Sequence, residues 1–211
     1  MDPAHITDLL HPFTGEPDVS SAIVDQLQLY LDLLLKWNAR VNLTAIRDPE
    51  QIVARHFGES LFAAKALFPD AQGPEESTLA DVGSGAGFPG IPIKLWMPQV
   101  ELTLIESQNK KATFLREVLR TLKLERAQVF SGRAEQWEHT ADIITLRAVE
   151  EFERVLPVAA KLLRQGGRIC LLIGSNQLTS AQKVLGESWR WDQPHRVPLS
   201  TERIVAVAYR L

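Results

Sequence analysis

Gly83, Gly85 and Gly87 stand at alternate positions directly after the apolar run Thr78–Val82. Lacking Cβ, they let the chain turn sharply and come close to a ligand. Glu106 follows Gly83 by 23 positions (106 − 83), at the end of a second apolar run, Glu101–Ile105. A carboxylate there can accept hydrogen bonds from both hydroxyls of an adenosine ribose, so the pattern points to a bound nucleoside. A tight strand-to-helix turn beside an exposed glutamate is the plainer alternative, but loop, strand and acid fall in the order that nucleoside binding requires.

Such a loop needs a strand before it and a helix after it, and the periodicity supplies both. Thr78–Val82 reads as a buried strand, followed by a helix from the glycine loop to Pro98. Glu101–Ile105 is a second strand, and a helix spans about Gln108 to Leu124. Gln128–Ser131 is a third strand, with a short turn through Ala134–Trp137. Ile143–Leu146 is a fourth, and a helix over Glu151–Leu163 stops at Gly166-Gly167. Arg168–Ile173 is a fifth, Ser180–Leu185 is helical, and Arg190–Val197 with Arg203–Arg210 reads as a closing strand pair. Strands separated by helices imply a mostly parallel sheet covered on both faces, with its ligand at the carboxyl ends of the strands.

Ahead of this body, Ile23, Leu27, Tyr30, Leu31, Leu34 and Trp37 recur at helical spacing from Ser21 onward. Asp48-Pro49-Glu50-Gln51 is a helix start with Asp48 as the cap, and that helix runs through Ile52, His56, Phe57 and Leu61 towards Leu67. Pro69 to Ser77 reads as a linker. The first twenty residues, with prolines at 3, 12 and 17, read as a poorly ordered lead-in. The expected division is a helical N-terminal extension over 1–77 and a cofactor-binding domain over 78–211.

Composition narrows the classes. Of 211 residues, 45% are hydrophobic and 23% charged, which is ordinary for a globular chain. Cys170 is the only cysteine, so a disulfide scaffold or Cys-rich metal site is excluded, and the five histidines lack metal-ligand spacing. No metal is expected. No apolar run reaches the roughly 20 residues a membrane helix needs, and no secretion signal is visible. A cytoplasmic protein follows. The formal net charge of −3 argues against non-specific coating of nucleic acid but leaves room for a local basic face.

Gly85-x-Gly87-x-x-Gly90 also satisfies the dinucleotide fingerprint. Two features favour S-adenosylmethionine instead. Asp81 precedes the first glycine by two positions, and that acid-x-Gly-x-Gly-x-Gly form resembles motif I of the class I methyltransferases. Pro89 and Pro92 remove two N–H groups from the helix start, where a pyrophosphate would seek them. The fold implied is α/β, a class I (Rossmann-like) methyltransferase fold with a mostly parallel seven-stranded sheet, helices on both faces and a small N-terminal helical cap. The rivals are an NAD-dependent oxidoreductase, which lacks a Tyr-x-x-x-Lys relay here, a methyltransferase with a deep pocket for a small molecule, and a non-catalytic S-adenosylmethionine-binding module.

Further segments carry a more specific likeness: Lys36-Trp37-Asn38, Val41-Asn42-Leu43-Thr44, Ile46-Arg47-Asp48, His56 with Ser60-Leu61, and the glycine loop continuing as Phe88-Pro89-Gly90-Ile91-Pro92. Ser107, Lys110-Lys111, Phe114-Leu115, Gly132-Arg133-Ala134-Glu135 and Arg147-Ala148 extend it. Over roughly Ser20 to Gly174 the chain resembles the RsmG (GidB) family, bacterial 16S rRNA guanine-N7 methyltransferases. By that resemblance Gly83, Gly85, Gly87 and Phe88 line the cofactor cradle, and Glu106 holds the ribose. Ala134 and Glu135 flank the adenine, and Arg147 closes the pocket, with a structural ion pair as the alternative for Arg147. Glu59 stands where the family usually has aspartate. The implied partner is 16S rRNA or a small-subunit particle, the product is S-adenosylhomocysteine, and the enzyme is expected to be a monomer.

The chemistry implied needs no general base, because guanine N7 offers a lone pair directly; catalysis rests on alignment and local field. Cys170, inside a strand, is expected to be a buried, inert thiol. Lys110, Lys111, Arg116, Arg120, Lys123 and, just past its end, Arg126 form a basic stripe on one helix, and Arg40, Arg47 and Arg55 extend it onto the N-terminal part as an RNA-contacting rim. A solvated helix face is the alternative for such a run. Trp37 and His56 are expected to serve packing and local hydrogen bonding.

Overall fold

The computed structural model describes residues 1–15, 19–69, 77–149 and 151–211. The interior of the expected linker, 70–76, lies outside the described residues.

Four helical segments come first: α1 (Pro3–Thr14), α2 (Ser21–Asn38), α3 (Pro49–Ile52) and α4 (Glu59–Leu67), with α3 and α4 joined through a wider π-helical turn at Val53–Gly58. Asp48 caps α3 by accepting the Gln51 N–H at 2.8 Å, as the local sequence requires. Then come β1 (Thr78–Val82), α5 (Gly90–Trp96), β2 (Glu101–Glu106), α6 (Asn109–Thr121), β3 (Ala127–Ser131), β4 (Ala141–Arg147), α7 (Phe152–Lys161), β5 (Leu163–Gly174), α8 (Leu178–Leu185), β6 (Trp189–Trp191), β7 (His195–Arg196) and β8 (Arg203–Arg210).

The sheet runs β3-β2-β1-β4-β5-β8-β6, with the two-residue β7 also paired to β8. β3, β2, β1, β4 and β5 are mutually parallel, and β8 is antiparallel to β5, β6 and β7. Strand order reverses between β1 and β4, and a crevice opens at their carboxyl ends.

Alternate residues of each central strand serve two cores. Leu79, Ile143, Cys170 and Val205 face a core built with α1 to α6, whereas Ala80, Ile144, Leu171 and Ala206 face one built with α7 and α8. Burial on both faces explains why the strands read as continuous apolar runs. Cys170 is fully buried and its thiol is pushed up to about 12 by burial, which leaves it inert.

Three expectations need correction. Residues 3–14 form a docked helix, where a disordered lead-in was expected. Pro3 sits in its first turn, where a missing N–H costs nothing, and Ile6, Leu10 and Phe13 are buried. Its end is held by Lys65 Nζ donating to the Thr14 carbonyl, and the Phe13 ring lies so close to Gly58 that a Cβ there would meet it at 2.5 Å. The helix expected to end at Gly166-Gly167 ends at Lys161, because β5 begins at Leu163, which pairs with Ala141 before a register shift. The strand expected over Arg190–Val197 divides into β6 and β7, both paired to β8.

Leu10→Ala should therefore destabilise the protein by about 2–5 kcal/mol in urea denaturation, the cost of a cavity in a packed core. A change within about 0.5 kcal/mol, typical of an exposed position, would mean that α1 is not docked.

Candidate active site

Turning the chain from β1 into α5 leaves a run of backbone N–H groups at the crevice, and their partners determine what can bind there. Gly83 and Ser84 donate to the Ile105 carbonyl, Gly87 and Phe88 to that of Ser84, and Ile91 to that of Gly87. Gly85 donates to Glu106 Oε2 at 2.9 Å and Gly90 to Asp81 Oδ2 at 3.3 Å. Pro89 and Pro92 have none to give. Ala86 N–H is the one amide between Gly83 and Ile91 without a partner among these bonds, so the loop satisfies most of its own donors and offers no nest of several amides to a pyrophosphate.

Asp81 is the support beneath this loop. Its Oδ1 accepts from Thr145 Oγ1 at 2.7 Å, which ties β1 to β4, while Oδ2 holds the start of α5. Burial pushes its carboxyl up to about 6, against the hydrogen bonds from Thr145 and Gly90. Gly90 must be glycine, since a Cβ there would stand 2.9 Å from Asp81 Cβ. Gly87, at φ +93°, serves the loop in the same way: a Cβ would fall 2.5 Å from Ile91 and from the Tyr30 hydroxyl. Tyr30, reaching from α2, donates to the Ala86 carbonyl and packs its ring on Phe57 and Phe88.

A cleft of about 800 Å³ lies over the loop. Gly83, Gly85, Phe88, Glu106, Ala134, Glu135 and Arg147 all line it; Gly87 does not. The Glu106 carboxylate is fixed by Gly85 N–H and by Gln108 N–H at 2.7 Å. Each oxygen keeps lone-pair capacity for a further donor. Ala134 and Glu135 sit in a 3₁₀ turn after β3. On the far side, Arg147 Nη2 donates to the Arg55 carbonyl at 2.6 Å and to Glu59 Oε2 at 3.0 Å. Glu59, only 2% exposed, takes Arg203 on its other oxygen at 2.7 Å. Arg147 is thus both a cleft residue and a member of a buried ion cluster. The turn after it is strained, with Ala148 at φ 47° and Glu151 at φ 51°.

His56 also lines the cleft. Its ring stacks on Phe88 with centroids 4.8 Å apart, and Nε2 contacts Thr44 Oγ1 at 2.8 Å. Burial first, then the charges of Arg147, Arg55 and Arg203, bring its pKa down to about 3, so the ring is neutral.

The basic rim expected from sequence is only partly gathered here. Arg55 and Lys111 line the cleft. Lys110 is exposed one position earlier, at the start of α6, but Arg116 and Arg120 lie farther down this helix, which runs away from the strands' carboxyl ends. Arg40 is exposed beyond α2, and Arg47 closes the following loop by donating to the Asn38 carbonyl at 2.6 Å. Trp37 packs edge-on against Phe114 and donates Nε1–H to Glu117 at 3.0 Å, a packing role. Arg203, Glu59 and the cleft-facing position of His56 are what the sequence reading missed. The helical spacing His56–Glu59 was the available signal for that pair; nothing local marks Arg203.

Among the described residues no group of three or more His, Cys, Asp or Glu side chains is placed to hold a metal ion. Likewise, no helix is long and apolar enough to cross a membrane.

Residues 23–196 match the family described as "GidB: rRNA small subunit methyltransferase G". The chain belongs to the GidB family. A relative from Xanthomonas campestris pv. campestris (strain 8004), named ribosomal RNA small subunit methyltransferase G, is 37% identical over 92% of this chain and 96% of its own length. One of the same name from Desulfitobacterium hafniense (strain Y51) is 40% identical over 81% of this chain and 70% of its own. Among solved structures, a ribosomal protein L11 methylase from Lactobacillus delbrueckii subsp. bulgaricus superposes with a TM-score of 0.60 at 16% identity, covering 74% of this chain and 79% of that one. TYW2 of M. jannaschii, in complex with AdoMet, gives 0.58 at 16% identity, covering 74% and 76%. At that identity the structures share the fold: the Rossmann-like methyltransferase fold that the GidB members' sequence pattern implies.

The environment of His56 gives a testable pH dependence. An unfolded histidine titrates near about 6.5, whereas the folded ring resists protonation down to about 3. The unfolded chain therefore takes the proton first, so this stability is complete above about pH 6.5 and drains as pH falls. Between pH 7.5 and pH 5 the wild-type protein should lose about 2 kcal/mol more than His56→Asn in urea denaturation. Parallel losses in the two proteins would show that the folded ring accepts the proton.

Proposed function

We propose that this GidB-family enzyme methylates N7 of a guanine in 16S ribosomal RNA, with S-adenosylmethionine as methyl donor, acting as a cytoplasmic monomer. The observation that carries the reading is the convergence of Gly83, Gly85, Phe88, Glu106, Ala134, Glu135 and Arg147 on one cleft whose glycine loop leaves a single amide, that of Ala86, where a phosphate needs several.

The residues fit a phosphate-free nucleoside. Gly83 turns at φ +70° with Val149 so near that a Cβ would meet it at 2.8 Å, which keeps the floor of the cleft open to a ligand. Glu106 would take the ribose hydroxyls, the Ala134-Glu135 turn would flank the adenine, and Arg147 would close the far end. The cofactor, when bound, supplies an electrophilic methyl group on a sulfonium.

The chain's own part is then positioning. N7 carries a lone pair, so no residue has to remove a proton. The groups nearest the loop agree with that: Asp81 is buried under it and engaged by Thr145 and Gly90, and His56 is neutral and packed on Phe88. N7 lies on the major-groove edge of guanine, and in A-form RNA that groove is too deep and narrow for side chains. The target base must therefore be splayed into the cleft from a loop or unpaired strand. A monomer fits the scattering of large exposed apolar residues among those described: Met1, Leu29, Leu199 and Leu211.

Incubation with cofactor labelled in its methyl group should place label in small-subunit rRNA as 7-methylguanine. Label in protein or in small metabolites would overturn the assignment. Glu106→Ala should weaken S-adenosylhomocysteine binding about 10- to 100-fold, the worth of hydrogen bonds to a charged group. Unchanged affinity in calorimetry would remove Glu106 from the cofactor site.

A further inference from the structure

The wall of the cleft formed by the π-helical turn and β8 is richer in positive charge than its one carboxylate can balance. Glu59 is the carboxylate in contact there, and it is shared by Arg147 and Arg203. Arg203 uses Nε and Nη2 on Glu59 Oε1 at 2.7 Å, so one edge of its guanidinium is fixed and the other is turned from the pair. Its side chain is 33% exposed and lines the cleft. Arg55 lines the same cleft and is exposed; among the described residues its side chain has no ion-pair partner, only its carbonyl being taken, by Arg147. Both Arg55 and Arg203 act electrostatically on His56 and on Arg147, so the guanidiniums share one neighbourhood.

Three guanidiniums against the Glu59 carboxylate and the buried Asp81 carboxylate that also acts on Arg147 leave an excess of positive charge that favours an anion. A planar fork held by a buried carboxylate is also suited to bidentate recognition of phosphate. We propose that Arg55 and Arg203 form a phosphate clamp for the RNA backbone beside the splayed guanine, with Glu59 as the positioning residue that orients Arg203. This rests on the RNA methyltransferase reading above and places part of the RNA grip on the π-helical turn and the last strand, across the cleft from α6. The carboxylate of the cofactor's amino-acid portion is the other anion of suitable chemistry, and the test separates the two.

The test pairs two measurements on the full chain and on Arg55→Ala, Arg203→Gln and Arg203→Lys. Anisotropy of a labelled single-stranded oligoribonucleotide is followed through a salt titration, and S-adenosylhomocysteine binding is measured by calorimetry without RNA. Arg55→Ala and Arg203→Gln should each reduce the log–log salt slope by about 0.7, the value for one phosphate contact on a single strand. Arg203→Lys, which keeps the charge, should retain the slope, and all three should keep the wild-type affinity for S-adenosylhomocysteine. Unaltered slopes, a lost slope in Arg203→Lys, or cofactor affinity that falls in any variant would overturn the clamp. If the wild-type enzyme methylates RNA normally in such a case, the clamp alone fails; if it methylates none, the reading beneath it fails as well.

Discussion

Backbone donors at the end of a first parallel strand are the usual attraction for a phosphate, and in this protein the loop consumes all but one of them. The Ile105, Ser84 and Gly87 carbonyls, the Glu106 carboxylate and the buried Asp81 carboxylate accept the N–H groups from Gly83 to Ile91, that of Ala86 excepted. The loop can hold that shape because Asp81 is locked to Thr145 across the β1–β4 junction and Tyr30 holds Ala86 from behind. What remains accessible is a glycine-floored cleft with a fixed carboxylate on one side and a guanidinium on the other. On the function proposed above, that is a surface for a nucleoside carrying no phosphate.

The far wall depends on a second constraint, the burial of Glu59. A carboxylate taken out of water is tolerable only when paired and hydrogen-bonded, and the two guanidiniums that pair with it come from β4 and β8. The N-terminal helices, the middle of the sheet and the last antiparallel strand are thereby joined at one carboxylate. Burial first, and these cations after it, keep His56 neutral against Phe88, so the cleft gains an aromatic wall without a further positive charge.

Much of this was legible in the sequence because the residues concerned signal locally. Gly83, Gly85 and Glu106 announce the β1–loop–β2 unit by order and spacing, and the family likeness added Phe88, Ala134, Glu135 and Arg147, all of which line one cleft. Gly87 shares the spacing but serves the loop, a distinction that needs the position of Ile91 and Tyr30. The first helix was obscured because its prolines read as breakers, although Pro3 occupies a turn that tolerates it and Ile6, Leu10 and Phe13 keep helical spacing. The closing strands were blurred because β6 and β7 are too short to show a period. Arg203 lies 144 positions from Glu59, and no local pattern can reveal a pair closed only by the fold.

The claim on which the account turns is that this cleft accepts a nucleoside without phosphate. Calorimetric titration of the protein with S-adenosylhomocysteine, and separately with NAD and with ADP, tests it most directly. Saturable one-to-one binding of S-adenosylhomocysteine with no measurable heat from the two phosphorylated nucleotides is the result expected. Tight binding of NAD or ADP, with S-adenosylhomocysteine failing to displace it, would contradict the account.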